Sequence, residues 1–96
     1  MSNYEIMYIL RANLDENQRK EANEKLAKIL TDNGGEVTKV DESMGLRELA
    51  YPIKDEKKGY YVVLEASLNN QALSEFNRLV RINQNVLRHL VISKEK

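Results

Sequence analysis

The side chains able to do chemistry in this 96-residue chain are few and poorly grouped. His89 is the only histidine, and it stands in an apolar run with no acid or nucleophile at a spacing that would pair with it. There is no cysteine, which removes thiolate nucleophiles, disulfides and soft metal ligands together. Asp41-Glu42 and Asp55-Glu56 offer carboxylates on loop-like stretches, but neighbours on an extended segment point to opposite sides and do not converge on a cation. The four glycines sit at turns and helix ends, not in a phosphate-cradling loop. Arg11 follows an apolar run, as the arginine of a phosphate-binding loop would, yet Ala12-Asn13-Leu14 behind it contains no glycine. No metal, cofactor or small-molecule substrate is implied. The expectation is binding without catalysis.

Charge says where binding would occur. The chain has 15 basic and 15 acidic residues, but they are not spread evenly. Residues 1–45 hold six Lys/Arg against nine Asp/Glu, and residues 46–96 hold nine against six. A short cation cluster can hold a phosphate backbone without a high overall pI. Ordinary solvated surface is the competing explanation of the same residues.

The elements that must position these groups are legible in order. Tyr4 to Leu10 alternates as a strand, with Tyr4, Ile6, Tyr8 and Leu10 on one face and Glu5, Met7 and Ile9 on the other. The second set is only partly polar, which predicts a central strand. A helix is expected from Asp15, with Gln18 completing a capping-box spacing and Ala22, Leu26, Ile29 and Leu30 as the apolar stripe. Asn33-Gly34-Gly35 should stop it. Val37 and Val40 open a second strand, bent near Gly45, that resumes through Leu46 to Ile53. The connection Lys54 to Gly59, with Gly59 closing the turn, leads into the β-branched and aromatic run Tyr60-Tyr61-Val62-Val63-Leu64. Pro52 lacks an N–H and should lie on a sheet edge or mark where pairing stops. Asn69-Asn70 caps a second helix with Leu73, Phe76, Leu79 and Val80 inward, ending near Arg81, and Val86 to Ile92 forms the last strand.

The resulting order is β-α-β-β-α-β. Two helices with one apolar stripe each can cover only one face of a four-stranded antiparallel sheet, so the fold class is α+β, ferredoxin-like, with both helices on one face. Residues 1–93 should form this one domain, with 94–96 as a short tail. The opposite sheet face keeps apolar side chains, Met7 and Ile9 among them, and so presents a patch suited to a partner. No apolar run approaches the roughly 20 residues of a membrane-spanning helix. The opening Met-Ser-Asn-Tyr-Glu lacks the layout of a signal peptide. A soluble cytoplasmic protein is expected.

The hairpin carries a more specific signal. Gly45-Leu46-Arg47-Glu48-Leu49-Ala50-Tyr51-Pro52-Ile53, followed by Lys58-Gly59-Tyr60-Tyr61, resembles the signature of the bacterial small-subunit ribosomal protein S-six family. The opening Tyr4-Glu5, the Asp15 helix start, the Gly34 stop and the late Arg81-Ile82-Asn83 and Val86-Leu87-Arg88-His89 fall in that family's order, so the resemblance spans essentially the whole chain. By contrast, Lys58 to Glu65 matches the third-strand signature of RNA-recognition-motif proteins only at its opening Lys-Gly-Tyr and at Val63.

The resemblance implies a non-enzymatic component of the small ribosomal subunit. It further implies pairing with ribosomal protein S-eighteen as a heterodimer, and joint binding of the central domain of small-subunit ribosomal RNA. On that basis Arg47, Tyr51, Lys54, Arg81, Arg88 and Lys94 are the candidates for RNA contact. Arginine's planar fork suits phosphate, and such contacts position without reading sequence. Leu46, Leu49, Ala50 and Ile53 are the candidates for the protein partner. A ligand-sensing ferredoxin-like homodimer is the alternative, and it predicts self-association through the open sheet face.

Overall fold

The computed structural model describes residues 2–94. Its elements are β1 (Ser2–Arg11), α1 (Glu16–Asp32), β2 (Glu36–Ile53), β3 (Glu56–Leu68), α2 (Asn70–Arg81) and β4 (Val86–Ser93). The strands form one antiparallel sheet in the order β2-β3-β1-β4, so β1 is central and Pro52 lies on an edge strand. The alternation of β1 decides which face is covered. Ile6, Tyr8 and Leu10 are fully buried against Leu26 and Leu30 of α1 and Phe76 and Val80 of α2, while Met7 and Ile9 face away from the helices. Each fully buried Leu or Phe stabilises by roughly 1.5–3 kcal/mol relative to exposure.

The helix ends follow the expected chemistry. Asp15 accepts from the Gln18 backbone N–H at 2.8 Å, and the Gln18 side chain accepts from the Asp15 N–H at 2.9 Å, completing the capping box. At the other end Gly34 takes φ +86°, and the Gly35 N–H reaches back to the Leu30 carbonyl at 2.8 Å. Asn69 caps α2 by accepting from the Ala72 N–H at 2.7 Å. Its most buried line is Ala72, Phe76 and Val80, so Ala72 joins the expected stripe and Leu79 sits at its margin.

The hairpin turn differs from expectation. Ile53 pairs with Glu56, leaving Lys54 and Asp55 as a two-residue connection with φ of 50° and 66°. Positive φ at both central residues is the mirror-image turn whose twist matches paired strands. Gly59 does not close it. Gly59 is a buried strand residue beside Arg47 and Arg11, and a Cβ there would stand 2.2 Å from Ile9 Cγ2. Its missing side chain is therefore the notch that seats Ile9 on the open face.

Two irregularities interrupt the ladders, and the one on β4 re-aims its side chains. Between Asp41 and Gly45 the register of β2 against β3 shifts, with Gly45 at φ +61°. On β4, Val86 stands opposite Leu10 and Arg88 opposite Ile9, so Leu87 is the extra residue. Directly opposed residues share a face. Arg88 and Leu90 consequently join Ile9 and Met7 on the open face, and His89 and Val91 join Tyr8 and Ile6 on the helix side. Of the expected 94–96 tail, Lys94 is tied to the sheet by its N–H to the Asn3 carbonyl at 2.9 Å, and Glu95 and Lys96 lie outside the described residues.

Candidate functional site

The hairpin end is not a flat extension of the sheet. In the order β2-β3-β1-β4, three strand spacings put β2 and β4 roughly 14 Å apart in a flat sheet. Yet the Lys54 ammonium donates to the Val86 carbonyl at 3.2 Å, and Arg88 donates to the Tyr51 hydroxyl. The end of β2 must therefore curl across the end of β1 to reach β4. Four residues of β2, Leu49 to Pro52, lack strict partners between Glu48 and Ile53, where the register slips, and Pro52 could not have donated to a ladder there.

Under the curl lies a predominantly apolar groove of about 340 Å³. Leu49, Ala50, Tyr51 and Ile53 form its roof, with Met7, Ile9, Tyr61 and Leu90 of the open face below and Arg88 also lining it. Leu90 is 50% exposed and Tyr51 56%, large values for side chains beside an apolar groove. Around the start of β4 a second, shallower depression is lined by Lys54, Arg81 and Arg88. Arg81 holds the last turn of α2, where a cation also suits the helix dipole. It has no carboxylate partner among the described residues.

The structure thus gathers Tyr51, Lys54, Arg81 and Arg88, and it does not gather all six expected RNA contacts. Arg47 is exposed on the hairpin, its Nε donating to the Met44 carbonyl at 3.0 Å. Lys94 stands six positions beyond Arg88, about 20 Å along an extended chain. There it pairs with Glu65, which holds the lysine above and the glutamate below their ordinary pKa ranges. Of the four partner candidates, Leu49, Ala50 and Ile53 line the groove. Leu46 does not: it stands opposite Tyr60 and, through it, Leu10, on the helix-bearing side, where it is 55% exposed. The register shift at Asp41–Gly45 adds two residues to β2 and so preserves its alternation: Val40 and Leu46 share the helix-bearing side, and Leu49, three positions on, falls on the other.

His89 is a packed side chain. Its ring meets Phe76 edge-on, with centroids 6.2 Å apart, and its Nε2 lies 3.1 Å from the Asn77 side-chain oxygen. Burial, and secondarily the nearby Arg81, lower its pKa. Tyr8 is bonded to Asn23 at 2.5 Å, and burial followed by Glu42 raises its pKa. Among the described residues no three His, Cys, Asp or Glu side chains converge on a metal position, and no helix is long and apolar enough to cross a membrane. Sequence reasoning set aside Arg11 and passed over Tyr61; the signal available for both was their place at the hairpin root, in register with Gly59 and Ile9.

Fold and site define a small ferredoxin-like domain whose open sheet face sets an apolar groove beside a cation cluster. Residues 3–93 match the family described as ribosomal protein S6. The chain is 52% identical over 96 residues to small ribosomal subunit protein bS6 of Shouchella clausii (strain KSM-K16), with 100% of both chains covered. It also shares its fold with the crystal structure of 30S ribosomal protein S6 from Thermotoga maritima, at a TM-score of 0.89 and 30% identity over 97% of this chain and 87% of that one. The chain belongs to the ribosomal protein S6 family. It is a small-subunit ribosomal protein, cytoplasmic with its ribosome, associated with ribosomal RNA and not an enzyme.

Proposed function

We propose that the protein binds the central domain of small-subunit ribosomal RNA as a heterodimer with ribosomal protein S-eighteen. Leu49, Ala50 and Ile53 meet the partner, while Arg47, Lys54, Arg81 and Arg88 neutralise phosphates with Tyr51 stacking or hydrogen-bonding beside them. The observation that carries the reading is the juxtaposition of an apolar groove with a cation cluster across the curled hairpin end. Lys94 has the weakest claim of the six, because its charge is already met by Glu65.

A chain with equal numbers of basic and acidic residues has little field of its own for RNA. The partner accordingly supplies much of the positive charge, and this chain shapes and orients it. The test is binding to central-domain RNA across a salt series, alone and with S-eighteen. Tight, salt-sensitive binding that needs the partner is expected. Equal binding by the isolated protein would refute the cooperative reading, and a homodimer that ignores RNA would favour the ligand-sensing alternative.

A further inference from the structure

Arg11 ends β1, the strand over which the hairpin curls, and it grips the chain on both sides. Its backbone N–H donates to the Asn85 carbonyl at 2.9 Å, and its Nε donates to the Gln84 carbonyl at 2.6 Å. The same guanidinium lies 3.5 Å from the Glu56 carboxylate. Glu56 closes the Lys54-Asp55 turn by pairing with Ile53, and Gln84 and Asn85 lead directly into Val86, whose carbonyl receives Lys54. The 83–85 segment is itself stiffened, since Asn83 accepts from the Asn85 N–H at 2.9 Å and from the Val86 N–H at 3.2 Å. Only 29% of the Arg11 side chain and 28% of the Glu56 side chain is accessible, so this cation is directed inward.

We propose that Arg11 is a positioning residue: without touching RNA, it fastens the hairpin end bearing Tyr51 and Lys54 to the approach of β4 bearing Arg88, so that these side chains form one surface. A planar fork can satisfy a carbonyl and a carboxylate in different directions at once, which a lysine's single ammonium on a flexible stem does less well. The functional part of the proposal rests on the RNA reading above. The geometric part does not.

The experiment measures RNA affinity of the S-eighteen pair across a salt series for Arg11→Ala, Arg11→Lys, Glu56→Gln and Arg88→Ala. Amide hydrogen exchange of the free variants runs beside it. A phosphate-contacting residue lowers the salt slope by about one when removed; a positioning residue does not. Arg88→Ala is therefore expected to weaken binding about tenfold and flatten the slope. Arg11→Ala should weaken binding by a similar factor, about tenfold, with the slope unchanged, and Arg11→Lys and Glu56→Gln should fall between it and wild type. Exchange should quicken at 51–56 and 84–86 and stay unchanged in α1. A slope that drops with Arg11→Ala would overturn the proposal, as would full affinity in all Arg11 and Glu56 variants while Arg88→Ala is impaired. If no variant, Arg88→Ala included, alters affinity, the RNA reading fails, and exchange alone then decides whether Arg11 fastens the two segments. Unchanged exchange at 51–56 and 84–86 overturns it in that case too.

Discussion

The open face of the sheet has two ends, and they treat their cations differently. At the hairpin end the half-buried Arg11 is matched by Glu56, but Arg88 donates to a tyrosine hydroxyl and Lys54 to a backbone carbonyl. Neutral acceptors fix the direction of a cation without cancelling its charge. At the far end Lys94 and Lys39 both lie against Glu65, Lys39 at 3.9 Å. A carboxylate holds its cation in place but also neutralises it at a distance. The hairpin end therefore keeps its Arg88 and Lys54 charge pre-aimed for an incoming anion, while at the far end a phosphate would have to compete with Glu65. The two ends have similar residue types, and the acceptor makes the difference.

The largest test of this contrast removes geometry and leaves every charge in place. Gly59→Ala puts a methyl group 2.2 Å from Ile9 Cγ2, and the open face beneath the hairpin has to move. Overpacking of this kind costs about 1–3 kcal/mol, read by urea or thermal unfolding. RNA affinity of the pair should fall with it, although no cation has been touched. Full affinity at reduced stability would show that the curl of the hairpin end is irrelevant to binding.

Next in size is a paired deletion. Arg81→Ala should weaken RNA binding several-fold, by about the worth of one charge-assisted contact, whereas Lys94→Ala should change it by less than about twofold. Equal losses would erase the distinction between the two ends. Tyr51→Phe is smaller again: Arg88 loses its neutral acceptor but keeps its charge, so affinity should fall slightly and the salt slope should hold.

What the sequence disclosed about these ends depended on the range of the cause. β1, both helix caps and the central place of β1 were legible because periodicity and capping act over a few residues. The turn was misplaced because glycine is the usual sign of positive φ, and here Lys54 and Asp55 adopt it while Gly59 answers a packing demand from Ile9, fifty positions away. Lys94 looked like a free tail cation because its partner, Glu65, is distant in sequence. Leu46 was grouped with Leu49 by nearness in sequence, although a three-residue spacing along a strand already sets the two on opposite faces. The site was legible as a list of residue types and not as a place.

The smallest expected effect is a titration that joins the hairpin end to the helix side. His89 is held below its ordinary pKa of 6.5 first by burial and second by Arg81. The unfolded chain therefore takes up a proton near pH 6.5 that the folded chain resists, and stability is lost as pH falls through this window toward the folded value. Above about pH 6.5 the contribution is complete. Glu65, Glu75 and Asp41 are also depressed in the folded state, but their losses begin only near the ordinary carboxylate values, 4.5 for the two glutamates and 3.8 for the aspartate, so the His89 window opens first as pH falls. NMR titration of the His89 ring should give a value under 6.5, and Arg81→Ala should bring it part of the way back up. Burial would still hold it down in that variant, because the Phe76 edge and the Asn77 contact remain. A ring whose titration is unmoved by Arg81→Ala would mean that Arg81 points away from β4, and the cation cluster would lose one of its three members.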